Sequence, residues 1–248
     1  MSSVNVEERE ALEAAAGGAD KRAYVRRIFS EIAPRYDLLN HLLSLNIDRG
    51  WRREAIAALG WERAADGTYV DLCSGTMDVA VELARRPGFR GRVAAADFAE
   101  PMLRAGRRKT GGLRVRPVVA DALQLPLRDG AASGAIVAFG IRNLADLDAG
   151  LREVRRVLAP GARFVILEFS RPRVPLVRAV YQGYFRYLLP AIGRLVSGHP
   201  TAYRYLPESV AHFPTEDALA ARMRAAGFAR VTWRRLTLGI AAVHVGEA

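Results

Sequence analysis

The chain has 248 residues, half of them hydrophobic and a quarter charged, a composition that predicts a globular protein with a full core. No apolar run reaches the roughly 18 residues that a membrane-spanning helix needs, so we expect no such helix. The single cysteine, Cys73, excludes a disulfide framework and indicates a reducing compartment. Because the N-terminus lacks a basic-then-apolar leader, we expect a cytoplasmic location.

The formal net charge of +11 calls for an acidic partner. Apart from Lys21 and Lys109, every basic residue is an arginine, a bias that GC-rich coding also produces. The charge alone therefore leaves nucleic acid and an anionic membrane surface open as partners.

The first quarter of the chain predicts helices. Residues 1–22 are acidic and rich in alanine, and we expect them to be mobile. Apolar residues recur at helical spacing over 24–32, 38–45 and 49–59. These helices would begin a single domain that spans 23–248.

The pattern then changes to strands that alternate with helices. A first strand ends at Asp71, and further strands are predicted over 92–97, 113–119, 134–139, 163–169, 230–235 and 238–245. Helices are predicted over 77–85, 101–109 and 147–158. Repeated βα units predict an α/β fold with a doubly wound, mostly parallel sheet, to which the terminal hairpin adds an antiparallel strand.

The segment 69–78 (YVDLCSGTMD) is a strand, a loop of small residues and the start of a helix. A dinucleotide loop reads G-x-G-x-x-G and presents bare amides to a pyrophosphate. Here Cys73 and Asp78 replace the first and third glycines, and Asp71 ends the strand. Two carboxylates disfavour a phosphate and suit a ligand with a cationic end, such as S-adenosylmethionine.

Asp97 ends the second strand, 22 residues after Gly75. An acid at that offset accepts the ribose hydroxyls in such folds. The alternative for both Asp71 and Asp97 is a solvated acid at the rim of a sheet.

Residues 171–213 form an insert that we expect to be a helical lid. Over 175–189, apolar residues cover one broad helical arc, and Arg178, Gln182 and Arg186 fall opposite. A lid packed on the core and a helix in a membrane interface both fit this pattern. Flanking arginines, including Arg194, and interleaved tyrosines favour membrane contact, at the inner face for a cytoplasmic protein.

Several strings together resemble the ubiquinone/menaquinone biosynthesis C-methyltransferases. They are 28–40 (IFSEIAPRYDLLN), 139–143 (FGIRN), 167–170 (LEFS), 203–209 (YRYLPES) and 236–246 (LTLGIAAVHVG). The match covers about residue 24 to the end and keeps the family's order. The resemblance implies a Rossmann-like class I methyltransferase fold with a seven-stranded sheet.

The resemblance also implies transfer of a methyl group from S-adenosylmethionine to a ring carbon of a polyprenylated quinol precursor. The product would be menaquinol from demethylmenaquinol, with a ubiquinol precursor as the alternative. The matching cofactor-binding positions are Asp71, Gly75, Thr76, Asp97, Asp121 and Ala122. Tyr36, Arg142 and Asn143 match residues around the aromatic acceptor and are the candidate catalytic residues.

Three positions depart from the family's usual sequence. Met77 replaces a glycine, Ala138 replaces a serine that often contacts the cofactor, and Ala132-Ser133 replaces a common Phe-Asp pair. Met77 would make the loop bulkier near the cofactor, and Ala138 would remove a hydroxyl that contacts it, so both would change cofactor affinity.

Carbon methylation needs an ionised ring hydroxyl, which Arg142 would stabilise because a guanidinium stays charged. Ordered water, His199 or His244 would take the proton, although a structural role is the alternative for each histidine. With His41 and His212, the four histidines show no metal-ligand spacing, so we expect no metal.

Two other functions stay open at this stage. One is methylation of RNA or another small aromatic acceptor, although no nucleic-acid module is visible and we expect no nucleic acid partner. The other is a cofactor-binding subunit without catalysis, which Met77 and Ala138 would favour. A homodimer is a further expectation.

Overall fold

The computed structural model describes residues 3–18, 20–37, 44, 46–184 and 202–248. Its centre is a seven-stranded sheet in the order β3-β2-β1-β4-β5-β7-β6. The strands are β1 (Thr68–Leu72), β2 (Arg92–Asp97), β3 (Val115–Val119), β4 (Ala132–Ala138), β5 (Leu158–Phe169), β6 (Ala229–Leu236) and β7 (Ala241–Glu247). The predicted α/β class and mostly parallel sheet are confirmed: β7 alone pairs antiparallel, with β5 and β6.

Helices flank the sheet. They are α1 (Ser3–Ala15), α2 (Lys21–Ile32), α3 (Ile47–Leu59), α4 (Asp78–Ala84), α5 (Glu100–Gly106), α6 (Leu147–Val157), α7 (Pro175–Gly183), α8 (Ala202–His212) and α9 (Glu216–Ala225). Local signals set several ends: the side chains of Asp146 and Thr215 cap α6 and α9, and Gly60 ends α3 in the left-handed region. Among the described residues, no helix is long and apolar enough to cross a membrane.

The core has one apolar layer on each face of the sheet. On one face, α6 and α9 contribute Leu151, Val154 and Met223. On the other, α3 and α4 contribute Ile56 and Leu83. The strand order reverses between β1 and β4, so a crevice opens at their carboxyl ends. The acids predicted to form the site end the strands beside this crevice.

The N-terminal segment contains a helix that the sequence analysis did not predict. Helix α1 forms within residues 1–22, and Ala11, Ala14 and Ala15 pack with Tyr24 and Tyr205 in a small apolar cluster. Each alanine buries little area, so the pattern of apolar residues indicates this contact only weakly. The mobility of this segment and the division into domains stay predictions.

The insert is helical where the structure describes it. Helix α7 begins where the sequence predicted, and α8 follows later in the insert. The predicted helix 38–45, except for Ser44, and the predicted lid residues 185–189 lie outside the described residues, as do Arg186, Arg194, His41 and His199. Helix α9 was not predicted, although Thr215 and the acids Glu216 and Asp217 are a helix-start signal.

Candidate active site

The loop after β1 has an unusual backbone. Cys73, Gly75 and Met77 have φ angles of 48°, 53° and 67°, and Phe139 at the end of β4 has a φ of 59°. Residues other than glycine pay a steric cost in this left-handed region, and such strain is concentrated at functional sites. The crevice is therefore walled by two strained strand ends.

Close packing holds this loop in place. A Cβ atom on Gly106 would overlap the backbone of Thr76, and one on Gly140 would overlap Cys73. Only glycine lets α5 and the turn after β4 approach the loop so closely. The loop is thus clamped from both sides.

Asp97 lies at the centre of the crevice. Its carboxylate accepts hydrogen bonds from the amides of Gly75 and Ala99, both at 2.8 Å. Burial raises the pKa of Asp97, and these amides act in the opposite direction. A fixed carboxylate with lone pairs facing a cavity can accept two neighbouring hydroxyls.

A cavity opens at Asp97 between the strand ends and α2. Of the predicted site residues, Tyr36, Gly75, Asp97, Asp121, Ala122 and Asn143 line it. Asp71, Thr76 and Arg142 are not among its lining residues. Six of the nine predicted positions therefore share one cavity, and the other three do not line it.

Asp71 is buried behind the loop. Its side chain accepts the amide of Ala80 at 3.0 Å, which ties β1 to the first turn of α4. Burial raises its pKa to about 8, and Arg52 acts in the opposite direction. Asp71 therefore positions the loop from behind.

Thr76 belongs to a charged network. Its hydroxyl donates to Asp37 at 2.5 Å and accepts from Lys109 at 3.1 Å. Lys109 also pairs with Asp37 at 2.5 Å and with Asp78 at 2.6 Å. The network joins the segment that follows α2 to the loop after β1. Sequence reasoning missed Asp37 and Lys109, because nothing local indicates a contact across 33 to 39 residues.

Arg142 makes a buried ion pair with Glu168 at 2.8 Å, and the two side chains are 7% and 2% exposed. The guanidinium also donates to the Ser209 hydroxyl at 3.3 Å and to the carbonyl of Phe139. Burial raises the pKa of Glu168, and Arg142 acts in the opposite direction. Glu168 and Ser209 lie in two of the strings that carry the family resemblance, but the sequence alone assigns neither residue a role.

Asn143 connects this pair to the lid. Its side-chain oxygen accepts the hydroxyl of Tyr205 on α8 at 3.0 Å, and the carbonyl of Arg142 accepts Lys21 of α2 at 2.8 Å. The residues predicted around the acceptor are thus held by both the N-terminal helices and the insert.

His244 is buried away from the Asp97 cavity. Its Nε2 lies 3.0 Å from the carbonyl of Glu216, and burial lowers its pKa. It lines a second cavity of about 470 Å³ with Glu168, Arg173, Arg178 and others. Within the described residues, no group of three or more potential ligands could hold a metal ion.

The fold is that of Rossmann-like methyltransferases. A solved S-adenosylmethionine-dependent methyltransferase from Aquifex aeolicus superposes with a TM-score of 0.51 and 20% identity, covering 73% of this chain and 81% of that one. At this identity the likeness concerns the fold alone. It confirms the predicted fold class.

The sequence profile of the ubiE/COQ5 methyltransferase family matches residues 18–248, and the chain belongs to that family. It is 52% identical to a demethylmenaquinone methyltransferase of Thermus thermophilus, over 89% of this chain and 99% of that protein. It is 47% identical to a demethylmenaquinone methyltransferase of Deinococcus radiodurans, over 92% and 94%. It is 42% identical to the ubiquinone/menaquinone biosynthesis C-methyltransferase UbiE of Geobacter sulfurreducens, over 92% and 90%.

Proposed function

We propose that this enzyme transfers a methyl group from S-adenosylmethionine to a ring carbon of a polyprenylated quinol precursor, converting demethylmenaquinol to menaquinol. The observation that carries the proposal is the Asp97 carboxylate, fixed by two amides in a cavity that Tyr36 and Asn143 also line. The names of the relatives supply the acceptor.

The cavity suits a nucleoside with a cationic substituent. Asp97 and Asp121 both line it, and among the described lining residues the one basic side chain, Arg22, pairs with Asp121 at 2.7 Å. Among the described lining residues, no basic side chain without an acidic partner is therefore available to bind a phosphate. Asp97 would accept the ribose hydroxyls, and Asp121 with Ala122 would contact the adenine. The cofactor, when bound, supplies an electrophilic methyl group on its sulfonium.

Arg142 would stabilise the acceptor's oxyanion. In the part of the chain that the structure describes, its Nε and Nη1 have hydrogen-bond partners and no bond is formed by Nη2. Because a guanidinium stays protonated in proteins, Arg142 would stabilise a phenolate without taking its proton. The phenolate raises electron density at the neighbouring ring carbon, which then attacks the methyl group.

Tyr36 and Asn143 would place the ring. Both side chains line the Asp97 cavity, and Asn143 is oriented by Tyr205. Positioning two reactants in line accounts for much of the rate of such transfers. Ordered water and His199 stay the proposed candidates for the proton acceptor, because His244 lines a different cavity.

We also propose peripheral contact of the insert with the inner face of the membrane. A polyprenyl acceptor partitions into lipid, and α7 exposes Leu176 beside Arg178. A cytoplasmic location and a homodimer stay part of this proposal.

A competition between acceptors tests the proposed function. The purified enzyme would be given S-adenosylmethionine with a short-tailed demethylmenaquinol, a ubiquinol precursor or RNA. We expect the demethylmenaquinol to gain one methyl group by mass spectrometry, at the highest kcat/KM of the three. Preference for the ubiquinol precursor would shift the assignment within the family. Methylation of RNA alone would overturn it.

A further inference from the structure

Most of the large apolar side chains that the described residues expose lie at one edge of the molecule. Six such side chains are more than two-fifths exposed: Leu12, Ile47, Val119, Val174, Leu176 and Leu238. Four of them, Ile47, Val174, Leu176 and Leu238, belong to three segments that meet beside the carboxyl end of β5. We call these four residues the apolar rim.

Contacts between the segments bring the rim together. The indole of Trp51, one helical turn after Ile47 in α3, donates to the hydroxyl of Thr237 at 2.8 Å. A Cβ atom on Gly239 would lie 3.5 Å from the Cα of Pro172, so the turn after β6 lies against the start of the insert. The amide of Ser170 donates to the carbonyl of Ile240 at 2.9 Å. The turn that carries Leu238 therefore lies against the start of the insert, which carries Val174 and Leu176.

The backbone at Leu238 is strained. Thr237 and Leu238 have φ angles of 46° and 56°, in the region where asparagine and glycine are usual. A leucine that is 69% exposed gains no burial within the chain to offset this cost. Burial of Leu238 by a binding partner would offset the cost of the strained turn.

Arginines surround the rim. Arg49, Arg171, Arg173 and Arg178 are exposed on the same segments. Of the facing acids, Glu216 and Asp217 each lie 3.9 Å from Arg173, and Glu216 also pairs with Arg235 at 2.6 Å. Arg171 donates to the carbonyl of Phe213 and, among the described residues, forms no ion pair. The rim is thus apolar at its centre and cationic at its border.

We propose that the apolar rim is the surface that docks on an anionic bilayer, with Leu238 inserted below the headgroups and the arginines at the phosphates. This inference rests on the proposed function, because a lipid acceptor has to be collected from a bilayer. It extends the membrane contact from α7 to the β6–β7 turn and the start of α3. The charge of the border favours anionic lipid, and the apolar centre favours a bilayer over a free phosphate.

Two tryptophan variants of the full chain test where the bilayer lies. Leu238→Trp and Leu12→Trp would be mixed with anionic vesicles that contain lipids brominated on the acyl chain. We expect the added emission of Leu238→Trp to be quenched and that of Leu12→Trp to be unaffected, because Leu12 lies on α1. Equal quenching of both variants, or of neither, would overturn the proposal.

A second variant removes the apolar contact without straining the fold. Asparagine tolerates the left-handed backbone, so Leu238→Asn should fold at least as well as the parent. We expect its partition onto anionic vesicles to fall about ten-fold, the factor for one leucine withdrawn from lipid. The binding that remains at high salt should fall most, because salt screens the arginine contacts and leaves the apolar contact. Leu12→Gln is the matched control and should bind as the parent does.

The soluble assay separates the two proposals. Leu238→Asn should methylate a short-tailed, water-soluble quinol at the parental rate, because Leu238 lies outside the candidate active site. Parental activity with unchanged vesicle binding would overturn the docking surface and leave the proposed function standing. An inactive parent enzyme would overturn the proposed function whatever its vesicle binding.

Discussion

Asp97 illustrates how one side chain serves both the fold and the ligand. Its two oxygens accept backbone amides from two different loops, so removing the carboxylate would leave buried donors unsatisfied. Asparagine keeps one acceptor oxygen and the shape of the side chain. It is therefore a sharper probe of ligand binding than alanine.

Asp97→Asn should weaken S-adenosylmethionine binding while the fold is kept. The loss of charge-assisted hydrogen bonds worth roughly 1.5–3 kcal/mol should raise Kd by about ten-fold or more. Calorimetric titration measures this, with the exposed Asp148→Asn as control. Unchanged affinity in a folded Asp97→Asn variant would remove Asp97 from the site.

Asp71 should make stability depend on pH. Its pKa is about 8 in the folded protein against 3.8 ordinarily, so the folded state holds a proton that the unfolded state has lost. This contribution is fully present below about pH 4 and is lost as the pH rises towards 8. Asp71→Asn should reduce the fall in unfolding free energy over that window, by up to about 1.4 kcal/mol per pH unit. Denaturant titrations at several pH values would measure the free energy of unfolding. If it fell equally with pH in the parent and the variant, Asp71 would not be the cause.

The Arg142–Glu168 pair has to be broken with care, because each member compensates a buried charge. Arg142→Met should destabilise the protein by about 3–5 kcal/mol, since it leaves Glu168 buried without a partner. The double variant Arg142→Met/Glu168→Gln should regain much of that stability. Both should turn over the quinol far more slowly than the parent while binding the cofactor normally. If the refolded double variant were fully active, Arg142 would have only a structural role.

At the scale of elements, the clamp between α5 and the loop after β1 depends on Gly106. Gly106→Ala places a methyl group against the backbone of Thr76, and overpacking of this kind costs about 1–3 kcal/mol. The displaced loop should also lower cofactor affinity. Thermal unfolding and calorimetric titration would measure the two effects.

Gly50→Ala is the matched control for this substitution. Gly50 lies in α3 with no atom within 4 Å of an added Cβ, so alanine there should stabilise by about 0.5–1 kcal/mol. Equal effects of the two substitutions would show that α5 does not clamp the loop.

The elements that sequence predicted well are those with a local signal. The strands end at acids and alternate with helices, so the crevice with Asp97 and Asp121 followed from the pattern. Glu168 and Ser209 meet Arg142 from 26 and 67 residues away, and no periodicity indicates such a contact. Helix α1 was missed because alanines give a weak apolar signal.

At the scale of the whole molecule, the net charge of +11 is unevenly distributed between paired and exposed arginines. Many arginines are committed to ion pairs, as in the bidentate contact of Arg90 with Asp66. At the border of the apolar rim, Arg171 bonds a backbone carbonyl and Arg173 lies 3.9 Å from Glu216 and Asp217. The Asp97 cavity, the Arg142–Glu168 pair and the apolar rim all lie towards the carboxyl ends of the parallel strands. An acceptor taken from a bilayer would therefore have a short path to the methyl group.

The central claim is transfer of the methyl group to a ring carbon of the quinol. The most direct measurement uses S-adenosylmethionine with a deuterated methyl group, a short-tailed demethylmenaquinol and NMR of the product. We expect the deuterated methyl group on the ring carbon in the parent enzyme, with Asp97→Asn forming the same product only at raised cofactor concentration. A label on oxygen, or no label in the quinol at saturating cofactor, would contradict the account.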